Sequence, residues 1–174
     1  GSRGLGDVYK RQDKDFSIIN HLMEDFRPPK ELRRGRQNIQ KQINNPFMQF
    51  LRWSCKKLLD SPNHSVLSLV VPLSFLEAES YKYARKYLCE NFSDAWIVSV
   101  DADARTGARS DSLFHTLQGR AVIVLTRKYR DDTSITKLHY CDYSHCMRIN
   151  KEQLLNESIE KIVSRFDTYD IAND

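Results

Sequence analysis

The clearest pattern in the chain is Val66-Leu67-Ser68-Leu69-Val70-Val71, a near-continuous apolar run stopped by Pro72. Such a short run predicts a strand covered on both faces, as in a parallel α/β sheet. Upstream of it, Phe47, Phe50, Leu51, Cys55 and Leu58 recur at three- and four-residue steps and form one apolar stripe. That spacing predicts an amphipathic helix lying on the sheet. Asn45 supplies its cap, and Pro46 sits at the first helical position, where a missing N–H costs nothing. Asp60-Ser61-Pro62-Asn63 ends it.

Further along, Glu77 to Glu90 is charged, with Tyr81, Ala84 and Leu88 spaced to meet one partner surface, and a strand at 94–100 follows around Trp96-Ile97-Val98. Together with the first run this predicts a strand, helix, strand unit with a right-handed crossover. Asp101 to Gly119 has little periodicity, and a loop of this length inside a compact domain is usually functional or mobile. A buried strand resumes at 121–126, and Lys137 to Tyr140 reads as a more exposed one. Asn150 and Gln153 resemble a capping box, and Leu154, Leu155, Ile159, Ile162 and Val163 give a C-terminal helix an apolar face. At the other end, Phe16, Ile18, Ile19, Leu22, Met23 and Phe26 predict a short helix or turn that Pro28-Pro29 breaks. Residues 30–43 are polar and helix-favouring despite Gly35.

Composition changes this picture little. The chain has 174 residues, 40% apolar and 29% charged, which suits one domain with its own core. No apolar run reaches the length of a bilayer span, and no secretory leader is visible. Cys55 and Cys89 lie inside apolar helical patterns, so a reducing cytoplasm is expected. Net charge is +4, and Lys30, Arg33, Arg34, Arg36 and Lys41 face only Glu31 in their stretch. That bias suits a phosphate-contacting surface, although a solvated basic helix face has the same composition. Gly1-Ser2 looks like a tag remnant. Residues Gly4 to Gln12 resemble a peptide that recurs as an assembly artefact in environmental sequence collections. Residues 1–12 are therefore left out of the fold, 13–38 are read as an N-terminal helical segment, and 39–174 as the main unit.

From Asn45 onward several strings, in order, resemble the later motifs of methyltransferases that modify adenine at N6 in DNA. The nearest likeness is to the large single-polypeptide restriction-modification enzymes and related N6 methylases. Asn45-Pro46-Phe47-Met48-Gln49-Phe50-Leu51-Arg52-Trp53 is similar to the helix after their catalytic strand. Val70-Val71-Pro72-Leu73-Ser74-Phe75-Leu76 resembles the next strand and its exit, and Arg85-Lys86-Tyr87-Leu88 their next helix. Leu113-Phe114, followed after a gap by Arg120-Ala121-Val122-Ile123-Val124-Leu125-Thr126-Arg127-Lys128, is similar to their last motif, an aromatic before a buried strand.

The resemblance implies a partial Rossmann-like α/β sheet flanked by helices, with 94–100 and 121–126 paired as an antiparallel hairpin inserted beside the first strand. It implies DNA as partner and S-adenosylmethionine as the methyl donor of the parent enzyme, with Phe47 and Phe50 on the cofactor side and Phe114 stacking the target base. The family also needs a glycine-rich loop after its first strand and an Asn/Asp-Pro-Pro-Tyr/Phe tetrapeptide. Gly4-Leu5-Gly6 lacks the flanking strand and helix, and Asn44-Asn45-Pro46-Phe47 has one proline and follows a polar stretch, so helix capping accounts for it. The chain is accordingly expected to be the C-terminal half of such a domain, inactive alone and unable to hold the donor tightly. The missing half is a partner, and an unpaired edge near Val66 to Val71 invites homodimerisation.

Each candidate has a plainer reading. Phe114 is either a stacking surface for an extruded adenine or an ordinary core ring at a strand entrance. Arg105, Arg109, Arg33 and Arg34 either touch DNA phosphates or sit solvated. His139, Cys141, His145 and Cys146 carry donor atoms for zinc but lack paired spacing, and no metal site is assigned. No catalytic residue is assigned either. The competing function is a non-catalytic α/β module that binds nucleic acid or protein.

Overall fold

Strands β1 (Ser65–Pro72), β2 (Asp94–Asp101), β3 (Arg120–Arg127), β4 (Ile135–Asp142) and β5 (Asp167–Ala172) form one sheet in the order β1-β3-β2-β4-β5. This computed structural model describes residues 18–35, 37–104, 109–128 and 135–172; residues 1–12, Phe16, Arg36 and Arg105 lie outside the described residues. The helices are α1 (18–23), α2 (Gln37–Ile43), α3 (Pro46–Leu59), α4 (Leu73–Glu77), α5 (Lys82–Asn91), α6 (Arg148–Asn156) and α7 (Ile159–Ser164).

Strand β3 is reversed between two strands that run the same way. It pairs antiparallel with β1, Leu69 opposite Ile123, and with β2, Ile97 opposite the same Ile123. The hairpin of 94–100 and 121–126 beside the first strand is therefore present, in a mixed, mostly antiparallel α/β sheet flanked by helices. Strand β4 runs parallel to β2, and β5 closes the far side antiparallel to β4.

Alternation along the strands decides where the core sits. Ala121, Ile123 and Leu125 of β3 point to one face and are buried against Leu51 and Cys55 of α3, Phe75 of α4, and Ala84 and Leu88 of α5. Met23, Phe26 and Ile43 enter the same cluster, so the N-terminal helical segment packs into the core of the sheet unit. Arg52 of α3 ties them together: it donates to Leu22 O at 3.0 Å and Asp25 Oδ2 at 2.7 Å while its guanidinium lies 4.7 Å above the Tyr87 ring.

Helix α3 starts as its sequence dictates. Asn45 Oδ1 accepts from Met48 N–H at 2.9 Å with Pro46 next in the first turn, so Asn44 and Asn45 join α2 to α3 and Phe47 is already helical. Elsewhere the structure corrects the sequence. Gly35 adopts φ +75°, so residues 30–43 form a single 3-10 turn at Lys30–Leu32 and then α2 instead of one helix. The charged stretch from Glu77 begins with a turn, and α5 starts only at Lys82.

Strand β1 is an edge strand with one face bare, since Val66 is 64% and Val70 46% exposed. An apolar run reports strand propensity and cannot report whether its second face finds a cover. Strand β4, expected to be exposed, is interior because β5 pairs with it, and His139 and Cys141 are buried. The C-terminal helix is two helices. Asn150 does not cap α6, whose N-cap is Met147, and Ser158 caps α7 instead by accepting from Lys161 N–H. Of the expected apolar face only Leu154 is buried, while Leu155, Ile159 and Val163 are exposed.

Candidate nucleic-acid interface

The loop between β2 and β3 is organised by one carboxylate. Asp101, the last residue of β2, is 1% exposed and accepts from Ser112 Oγ at 2.8 Å, Leu113 N–H at 2.9 Å and Phe114 N–H at 3.0 Å. Lys151 Nζ of α6 donates to the same carboxylate at 3.2 Å and is itself 2% exposed. The ammonium also donates to Asp111 O at 2.8 Å and Ser144 O at 3.3 Å, so all its donors are used. Burial pushes the Asp101 carboxyl up, but the amides of Leu113 and Phe114, the Ser112 hydroxyl and Lys151 together outweigh it and hold the group below the ordinary carboxylate value.

Past Phe114 the chain turns sharply. His115 has φ 53°, the only non-glycine residue at positive φ among the described residues, a conformation that costs about 1–2 kcal/mol for an L residue. Two contacts hold it there: its N–H donates to Ser112 Oγ at 2.9 Å, and its Nε2 accepts from Arg148 Nη1 at 2.7 Å. An arginine only donates, so His115 carries its proton on Nδ1. Arg148 also donates to Ser112 O at 3.1 Å and to Glu152 at 2.7 Å.

The loop closes at Gly119, whose N–H donates to Asp103 Oδ1 at 2.7 Å and whose carbonyl accepts from Leu73 N–H at 3.0 Å. A Cβ there would lie 2.5 Å from Leu73 Cδ1 and 2.7 Å from Asp101 O, so only glycine fits. Residues 111–119 are thereby held so that Phe114, 41% exposed, and Leu117 face outward, with Leu117 on a shallow cleft lined also by Asp103, Ala104 and Gln118.

The other expected site residues are distributed around the molecule. Phe47 packs edge-on against Phe75, with ring centroids 5.9 Å apart, at the margin of the core. Phe50 is 52% exposed and stacks on Trp53 of α3. Arg33 is engaged locally, donating to Pro28 O at 2.7 Å and Glu24 Oε2 at 2.8 Å, and it lines a cleft with Tyr83, Lys86 and Tyr87 of α5. Arg34 is exposed in the turn that Gly35 makes. The backbone of Arg109 forms a 3-10 turn with Ser110 and Asp111, while its side chain and all of Arg105 lie outside the described residues.

Of the residues considered for zinc, His139 is engaged in contacts of its own. His139 stacks on Trp96 at 3.7 Å, with Nε2 3.0 Å from Asp94 Oδ1 and Nδ1 2.9 Å from Thr168 Oγ1, a polar row that joins β2, β4 and β5. Among the described residues no group of His, Cys, Asp and Glu is arranged to hold a metal ion, and no helix is long and apolar enough to cross a membrane. Burial pushes the Cys55 thiol up to about 12 and the Cys89 and Cys141 thiols up as well, so none of these is a thiolate nucleophile at neutral pH.

Asp101, Ser112, Gly119, Arg148 and Lys151 were not singled out by sequence reading. The one available signal was Lys151, a charge three residues before buried Leu154 and so on the inward face of α6.

No protein-family model matches the chain, and neither does any curated protein. Solved structures do share its fold. LlaBIII, an ATP-dependent Type ISP restriction-modification enzyme solved bound to DNA, superposes with a TM-score of 0.70 at 18% identity over 87% of this chain. A nuclease-deletion mutant of the Type ISP enzyme LlaGI, in complex with a DNA substrate mimic, gives 0.65 at 16% over 90%. DrdV in its DNA complex gives 0.58 at 20% over 76%. The chain spans 10%, 15% and 13% of the length of those three proteins respectively.

Proposed function

We propose that this chain is the C-terminal half of an adenine-N6 DNA methyltransferase domain from a restriction-modification enzyme, and that it forms the wall of the cleft that receives the target base. The observation that carries this reading is the reversed β3 between β1 and β2, entered by a loop that holds an exposed aromatic ring on pinned backbone. The fold shared with two Type ISP restriction-modification enzymes and with DrdV, each solved with DNA or a DNA mimic, supports it.

In this reading Phe114 stacks the extruded adenine, replacing the stacking that the base loses on leaving the duplex. Methyl transfer to an exocyclic amine depends on in-line placement more than on an activated nucleophile, so a fixed ring is the contribution expected of this half. Arg109, Arg105, Arg33 and Arg34 are phosphate contacts that position without reading sequence. Phe50, with Phe47 behind it, belongs to the wall on the cofactor side.

S-adenosylmethionine does not fit these residues by themselves. Neither described glycine, Gly35 nor Gly119, opens a helix after a strand: Gly35 lies in a turn and Gly119 is sealed against Leu73 and Asp101. The donor belongs to the missing half. The free edge and bare face of β1 are where that half would dock, or a second copy in its absence.

The test combines two assays. At low salt the chain should retard duplex DNA with an affinity that falls steeply as salt rises. It should transfer no methyl group alone, and the parent enzyme should lose transfer when Phe114 is replaced by Ala. Binding without any methylation by the parent enzyme would favour the non-catalytic module.

A further inference from the structure

Phe114 is an exposed aromatic ring on a long loop, yet its backbone is held at several points. An exposed ring on a mobile loop loses conformational freedom when a base stacks on it, and a ring held in advance does not. Here the holding group is identifiable. Two consecutive amides, Leu113 and Phe114, donate to the single carboxylate of Asp101, which fixes the backbone leading into the ring's attachment point, and Ser112 Oγ, itself bonded to that carboxylate, accepts the His115 amide just beyond it. Lys151 supplies the countercharge from a different element, and its other two hydrogen bonds reach Asp111 at the near end of the loop and Ser144 at the β4–α6 connection. The strand end, the loop and α6 thus meet at one buried pair.

We propose that Asp101 and Lys151 are positioning residues that set the pose of Phe114. This rests on the reading of Phe114 as a base-stacking ring. Helix α6 then serves the site as a strut: its Lys151 neutralises the carboxylate, and its Arg148 fixes the reversal at His115 just beyond the ring. Among the described residues, every hydrogen-bond partner of the Asp101 carboxylate other than Lys151 lies in residues 112–114.

Amide hydrogen exchange on the whole chain tests the clamp directly. The Leu113 and Phe114 amides are expected to exchange at least tenfold more slowly than unprotected loop amides, and exchange at the unprotected rate overturns the proposal. The variant combining Asp101→Leu with Lys151→Met removes both charges and both acceptor oxygens without leaving a charge orphaned, and it should release both amides while Ala121 to Leu125 stay protected. A second measurement reads the consequence on DNA, using a duplex with one unpaired extrahelical adenine and the same duplex without it. Phe114→Ala is expected to lower the preference for the extrahelical base about tenfold, and the neutral-pair variant by the same factor. Combining the two should cost nothing further, because both act on one ring; additive losses overturn the positioning role. If Phe114→Ala leaves the preference unchanged, the stacking reading fails, while the exchange rates still judge the clamp on their own.

Discussion

Along β3, successive side chains enter two different surroundings. Ala121, Ile123 and Leu125 face the helices and are at most 2% exposed, whereas Val122 and Val124, one residue out of phase, are only half-buried. The contrast grows at the edge, where Val71 of β1 is fully buried and Val66 and Val70 stand in the open. The strands are almost equally apolar on both sides, so composition does not distinguish the faces. The side that found partners is the core of this chain, and the other is only partly covered. A third surrounding lies at the end of β2, where a buried charge pair takes the place of apolar packing and gathers residues 111–114 around it.

The sharpest way to break this contrast is at the charge pair. Lys151→Met leaves Asp101 buried without its countercharge and should cost about 3–5 kcal/mol, more than any change on the bare face. Urea denaturation measures it, and a loss under 1 kcal/mol would show that water reaches the pair. Next comes the packed face. Ile123→Ala should cost about 3 kcal/mol through lost burial and the cavity left behind, read in the same denaturation experiment.

The pH dependence of the pair is smaller and has a fixed sign. Asp101 is held below its ordinary value of 3.8, so its contribution to stability is complete at neutral pH. It is lost as the pH falls through the ordinary carboxylate range toward the lower native value. The acid limb of the stability profile should therefore flatten in the Asp101→Asn, Lys151→Met variant, and an unchanged limb would contradict the hydrogen-bonded carboxylate. Asn45→Ala should cost about 1 kcal/mol through loss of the cap on α3. Last, Val70→Lys on the bare face should change stability by no more than about 0.5 kcal/mol while reducing self-association in light scattering. A large loss there would mean that the face is already covered.

Much of the fold was legible because local rules and global burial agree in those stretches. The cap at Asn45, the α3 stripe and the strands at 66–71, 94–100 and 121–126 each express a period or a donor–acceptor pairing that neighbouring residues decide. Where burial comes from residues distant in sequence, the reading failed. Asp167 to Ala172 is too polar to announce a strand, yet β4 offers it a free edge, and pairing there buries His139 and Cys141. The apolar residues of the C-terminal stretch promised one continuous buried face. Ser158 breaks the helix, and only Leu154 turns inward.

The site divides the same way. Phe114 could be picked out as an aromatic before a buried strand, but not the group that holds it, because Asp101 and Lys151 are far apart in sequence and carry no mutual spacing. What the sequence determined by itself was α3, the strands at 66–71, 94–100 and 121–126 and which ring would precede β3, since those depend on side-chain periodicity and local hydrogen bonding. Tertiary structure alone decided which face of the sheet is covered, which strand lies at the edge, and which buried charge fixes the loop. Those depend on surfaces meeting across long stretches of chain, and a linear pattern does not record which surfaces meet.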